Sequence, residues 1–172
     1  MLQALSGNVT AGLDAAARSA AYLPDSKGLL NTPEHVFWSA ILQAMNPSGG
    51  RTAVKTVMTA KKSFARWATR CPVNFALRCE LLAADAARLR KQPDEAMHHY
   101  QCAIGLGETN RTLHLLGLAN QRAGLLAFSQ GRDEAAQQFA RDAQRAYSQW
   151  GATSIESIPG KLVERTSALT ST

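Results

Sequence analysis

Along most of the chain, Ala, Leu and single aromatic residues return every three or four positions with polar residues between them. That is the spacing of one face of an α-helix. At the N-terminus the stripe Leu2, Leu5, Val9 and Leu13 is thin, and Gly7 and Gly12 each cost about 1 kcal/mol against Ala inside a helix. Residues 1–32 therefore read as a marginal helix followed by a loop over Leu23–Gly28, where Pro24, Asp25 and Gly28 favour a turn. Thr32 reads as the N-cap of the next helix, with Pro33 at its first position and Glu34 in its first turn. Val36, Phe37, Ala40, Ile41 and Ala44 form its apolar side, and Asn46–Gly50 ends it.

The helix expected from Arg51 to about Arg70 is strongly two-faced. At 100° per residue, Arg51, Lys55, Lys62, Arg66 and Arg70 fall within about 100° of arc, and Ala53, Val57, Ala60, Phe64 and Trp67 lie opposite. Cys71-Pro72 closes it, because the residue before a proline is pushed out of the helical region. Residues 73–91 place Phe75, Leu81, Leu82, Ala86 and Leu89 at helical spacing, with small alanines beside them. After Gln92-Pro93, a helix from about Asp94 to Glu108 carries Ala96, Tyr100, Ala103 and Ile104. Two more follow, from Thr112 to about Gln130 and from Glu134 to Gln149, separated by Gly131-Arg132-Asp133. In the remainder, Ile155, Leu162 and Val163 suit one amphipathic turn, interrupted by Pro159-Gly160, and the Ser/Thr end is expected to fray.

Asp94-Glu95-Ala96 with Tyr100 and Ala103 is echoed by Asp133-Glu134-Ala135 with Phe139 and Ala143, at an offset of 39 residues. Each echo follows an Ala/Leu helix and a short break, which is the anatomy of a repeated antiparallel helix pair. The expectation is an all-α protein of six or seven helices. Over residues 33–152 these would form a short, degenerate tetratricopeptide-like solenoid, with 153–172 as its tail. The large core fillers would be Phe37, Phe64, Trp67, Phe75, Tyr100, Phe139 and Trp150. Uncapped solenoid ends would favour self-association.

Composition narrows the chemistry. The 172 residues can bury a real core, and the sparse aromatic content suits helices rather than sheets. Neither a membrane-length apolar run nor a basic start followed by an apolar stretch is present, and the cysteines (Cys71, Cys79, Cys102) are odd in number. A reducing, cytoplasmic setting follows as an expectation. The net charge of +6 is local: residues 1–71 hold eight Lys/Arg against three Asp/Glu, and residues 72–172 eleven against ten.

Several words in the chain resemble the helical region of large multidomain signalling proteins of bacteria and fungi. They are Phe37-Trp38, Trp67-Ala68, Cys71-Pro72-Val73-Asn74-Phe75, Leu81-Leu82-Ala83-Ala84, Glu95-Ala96 with Tyr100 and Ala103-Ile104, and Tyr147 with Trp150-Gly151-Ala152. The resemblance spans roughly residues 33–156. Those proteins join a protein-kinase-like domain and a signalling ATPase to tetratricopeptide-like helices, followed by a GAF sensor and a histidine kinase of two-component type. The resemblance implies a linker-scaffold that relays conformation between ATPase and sensor kinase. The catalytic words of the flanking domains are missing: there is no Gly-x-x-x-x-Gly-Lys-Ser/Thr phosphate loop and no His-Arg-Asp or Asp-Phe-Gly.

Candidate sites are few. The stripe Arg51, Lys55, Lys62, Arg66 and Arg70 could meet an acidic protein surface, or phosphates of a nucleic acid, or simply water. No aromatic residue is interleaved with it, so bases would find no stacking platform. His98 and Cys102 stand one turn apart but supply only two of the four ligands that structural zinc needs, so no metal or other cofactor is expected. His99 is placed to pair with Glu95, and Cys79 to be a buried small side chain. Glu80, Asp85, Glu95 and His114 could act as acids or bases, but nothing in the spacing brings them together. Ser148 and Ser154 lack a nucleophile-elbow setting. The sequence thus points to a non-catalytic protein–protein interaction scaffold. A nucleic-acid-binding regulator is the alternative, and an enzyme without recognisable motifs comes third.

Overall fold

A computed structural model of the chain describes residues 1–23 and 31–152. The expected Pro24–Gly28 turn and the amphipathic turn through Ile155, Leu162 and Val163 lie outside them. The described residues are all-α and form eight helices: α1 (Leu2–Leu5), α2 (Val9–Ala20), α3 (Asn31–Met45), α4 (Gly50–Ala68), α5 (Pro72–Leu89), α6 (Pro93–Thr109), α7 (Leu113–Ser129) and α8 (Asp133–Trp150). None is long and apolar enough to cross a membrane.

The expected single N-terminal helix is two. Gly7 takes φ 73°, which interrupts the turn, and the Asn8 side chain caps α2 by accepting from the Ala11 amide at 3.3 Å. Thr32 lies inside α3 rather than capping it, since Asn31 is already helical. Pro72 and Pro93 do more than stop the preceding helices. Each opens the next one, where a missing N–H costs nothing.

The last four helices are joined by three-residue links of one design. The central residues, Lys91, Arg111 and Gly131, are left-handed with φ of 60°, 53° and 71°. In each link the amide after the left-handed residue bonds back to a carbonyl one turn inside the helix: Gln92 to Ala87, Thr112 to Gly107 and Arg132 to Ala127, all at 3.0 Å. So short a connection forces the chain to reverse, which stacks α5 to α8 as antiparallel hairpins. A side chain in this conformation carries strain of about 1–2 kcal/mol. Lys91→Gly and Arg111→Gly are each expected to raise stability by about 0.5–1 kcal/mol, the gain being trimmed by the added freedom of the unfolded chain. Gly131→Ala is expected to lower it by a similar amount. Urea midpoints of the three variants check both signs.

Consecutive helices share the largest contacts, above all α7–α8, α5–α6 and α4–α5, while α3, α5 and α7 also touch in turn as an inner row. The repeat register is 40, not 39. Ala96, Tyr100, Ala103 and Gly107 of α6 are buried where Ala136, Ala140, Ala143 and Tyr147 of α8 are. Large and small residues exchange places between the copies, so matching the Asp-Glu-Ala words slips the alignment by one. The slip also explains the core fillers. Tyr147 is fully buried against α7, whereas Phe139 is only partly covered. Phe37, Phe64 and Tyr100 are fully buried as expected, while Trp67, Phe75 and Trp150 pack at the core's edge.

An aromatic chain Trp38–Phe37–Phe64–Trp67, with Phe75 against the last two, ties α3, α4 and α5 together at centroid distances of 4.9 to 5.9 Å. At the other end, α8 turns Glu134, Gln138, Arg141, Gln144, Arg145 and Ser148 to solvent. That face is polar.

Candidate functional site

Helix α4 begins where Asn46 has folded the chain back, accepting the Gly49 amide on its carbonyl at 3.0 Å and the Ser48 amide on its side chain at 3.1 Å. Ala53, Val57, Ala60 and Phe64 are buried, which fixes the rotation of the helix. Arg51, Lys55, Lys62 and Arg66 consequently face solvent, all exposed, with exposed Thr59 between them. Arg70 is exposed too, but it belongs to the turn after α4, whose last helical residue is Ala68. The expected five-residue stripe is therefore four residues on the helix and one beyond it.

Five arginines outside α4 are ion-paired. Arg78 pairs with Glu34 at 2.6 Å, Arg90 with Glu95 at 3.2 Å, Arg145 with Asp142 at 3.2 Å, and Arg122 and Arg88 both with Asp85. None of the five stripe cations has an acidic partner among the described residues. Two like-charge pairs stand four residues apart on the helix, Arg51–Lys55 and Lys62–Arg66, and such pairs destabilise an isolated helix by a few tenths of a kcal/mol each. Only Arg66, in the last turn of α4, is placed to favour the helix through its dipole.

The titratable groups that might have formed a catalytic site are scattered and individually occupied. His99 Nδ1 meets Glu80 Oε2 at 2.6 Å across the α5–α6 interface, and Glu95 turns to Arg90 instead. The expected Glu95–His99 pair does not form, because helix packing puts a carboxylate of α5 closer than the one a turn away. His98 and Cys102 do approach, Nε2 to Sγ at 3.8 Å, but no group of three or more potential ligands gathers there or elsewhere among the described residues. Cys79 is half-buried rather than enclosed, and burial raises its thiol pKa, with the Glu80 charge adding to the effect.

His114 lies against Trp150, ring centroids 5.2 Å apart. Burial lowers its pKa, the positive charge of Arg78 acts in the same direction, and Glu34 opposes. Burial lowers that of His35 as well. Both imidazoles resist protonation in the folded state, so the unfolded chain takes up protons first. Stability is complete above the ordinary value of 6.5 and falls as pH drops below it towards the folded values. Urea midpoints between pH 7.5 and 5.5 are expected to decline, with a shallower slope in His114→Gln.

The feature hardest to foresee is a buried ionic knot joining α5, α6 and α7. Asp85 and Tyr100 are fully buried and Arg122 is 5% exposed. Asp85 Oδ1 accepts from Tyr100 Oη at 2.6 Å, from Arg122 Nε at 2.9 Å and from Arg122 Nη2, while Arg88 Nε stands 3.3 Å away. Oδ2 has no partner. The sequence signal was a lone acid inside Leu81-Leu82-Ala83-Ala84-Asp85-Ala86-Ala87, where every neighbour is apolar. Beside the knot, the last turns of α3, α5 and α7 enclose a cleft of about 330 Å³. A second, of about 530 Å³, lies between α6 and α8, with Ile104, Leu116 and Phe139 among its lining residues.

No protein-family model, no curated protein and no solved structure matches the chain.

Proposed function

We propose that the chain is a non-catalytic protein–protein interaction scaffold whose contact surface is the basic face of α4. One observation carries the reading. Five cations, Arg51, Lys55, Lys62, Arg66 and Arg70, are exposed along one side of α4 and its following turn with no acidic partner among the described residues, whereas Arg78, Arg88, Arg90, Arg122 and Arg145 elsewhere are ion-paired. The stripe's like-charge pairs work against the helix and its cations meet no acid among the described residues, as on a surface completed by an acidic partner. In the multidomain signalling proteins that the sequence resembles, that partner would be a neighbouring domain, and the stacked hairpins would transmit its position from ATPase to sensor kinase.

A nucleic-acid ligand is the second reading, since four cations along one helix also fit a phosphate backbone. The arc offers Thr59 rather than an aromatic ring, which leaves bases without a stacking surface. Titration with ATP–Mg and gel retardation with a short duplex at low salt separate the readings. The scaffold reading expects no saturable ATP binding and no retardation. Retardation that fades steeply with salt would favour the regulator, and ATP binding by this chain alone would sink the scaffold.

A further inference from the structure

We propose a second contact site, independent of α4: the cleft at the C-terminal ends of α3, α5 and α7 receives an Asp or Glu side chain carried on an apolar segment of a partner protein. The charge balance of the cleft points there. Arg88 and Arg122 line it, and their shared counter-ion is one carboxylate, Asp85. Two guanidiniums against one carboxylate leave a single positive charge in a site whose other walls are Ala44, Met45, Leu125 and Leu126.

Donors remain available on both arginines. Arg122 spends Nε and Nη2 on Asp85. Arg88 spends Nη2 on the Ala44 carbonyl at 2.6 Å and keeps Nε near Asp85. The Nη1 group of each has no partner among the described residues. Arg122 is held at 5% exposure by its bonds, so its fork is preorganised, while the Arg88 side chain is 31% exposed and reachable from the cleft. Leu125, at 46% exposure, is one of the few large apolar side chains left open, and it stands at the same cleft.

The ligand's charge follows from the surroundings. Asp85 and the carbonyl-rich ends of α3, α5 and α7 add negative potential, which weighs more heavily against a phosphate dianion than against a single carboxylate. A volume of about 330 Å³ holds one acidic side chain and an apolar neighbour, not a folded ligand. The apolar walls would shield the new ion pair from water, and shielding strengthens it.

The test uses the full chain and a labelled, end-blocked octapeptide alternating Leu with Asp, beside the same peptide with Asn for Asp. The Asp peptide is expected to bind at least about tenfold more tightly, and Arg88→Gln to weaken it by about tenfold or more. Charge reversal on α4 (Lys55→Glu, Lys62→Glu) is expected to leave this binding within about twofold, so failure here and failure of the α4 reading are told apart. Should Arg88→Gln lose helical signal, side-chain NMR of the wild-type chain decides: the Arg88 and Arg122 Nε–H resonances shift with the Asp peptide only. Equal affinity for both peptides, no binding at millimolar peptide, or unmoved arginine resonances would overturn the proposal. Competition by millimolar inorganic phosphate would replace it with a phosphate site.

Discussion

Asp85→Ala is expected to lower the free energy of unfolding by about 3–5 kcal/mol, a large part of the margin of a domain this size. The carboxylate is fully buried, and one oxygen serves Tyr100, Arg122 and Arg88 together. Removing it leaves the Arg122 guanidinium enclosed at 5% exposure with no counter-ion, and the Tyr100 hydroxyl without an acceptor. Charge burial dominates this loss, since an orphaned neutral hydroxyl costs only about 1–3 kcal/mol. A compensated replacement separates the two costs. Asp85→Leu with Arg122→Met and Tyr100→Phe removes charge and hydroxyl together and is expected to stay within about 1 kcal/mol of the parent, or to exceed it. Urea unfolding of the single and triple variants checks the account. A single variant costing under about 1 kcal/mol would mean that the knot does not hold α5, α6 and α7 together.

Tyr147→Ala is expected to cost about 3–5 kcal/mol as well, through a cavity rather than a charge. The ring is fully buried at the largest helix–helix contact, and its hydroxyl donates to Gln121 Oε1 at 2.9 Å. It lies over Gly117 so closely that a Cβ there would overlap ring carbons. Gly117→Ala alone is therefore expected to cost about 1–3 kcal/mol. In Tyr147→Ala the added methyl fills part of the hole instead, so the double variant is expected to be less damaging than the two losses summed. Because α8 packs chiefly on α7, hydrogen exchange is expected to show α8 opening first in Tyr147→Ala. Additive losses, or uniform exchange through the domain, would contradict the packing argument.

The helices themselves were legible in the sequence, because they rest on local signals. Alanine and leucine periodicity, Pro72 and Pro93 as breaks between helices, and Gly131 at a reversal placed the boundaries of α4 to α8 within two residues. Partner choice was not legible. His99 had a carboxylate one turn away in Glu95, and only the packing of α6 on α5 gives it Glu80. The register of the repeat was hidden because Tyr100 and Gly107 in one copy stand where Ala140 and Tyr147 do in the other. Periodicity marks which face is buried without saying which side chain is large. Asp85 was visible as a lone acid in an apolar run, yet its counter-ion lies 37 residues away on another helix. The α4 stripe was legible through Arg66, since the segment contains no acid and its apolar side is unambiguous. Arg70 was placed on the helix only because the pattern runs past the point where Thr69 ends it.

The claim that α4 is a contact surface is tested most directly by a photo-crosslinker at Thr59, inside the stripe, with one at Gln144 on the polar face of α8 as control, both in cells expressing the chain. The account expects a discrete protein adduct from position 59 and none from 144, and expects Lys55→Glu with Lys62→Glu to abolish it while helical content is unchanged. Equal labelling from both positions, or an adduct indifferent to the charge reversal, would contradict it.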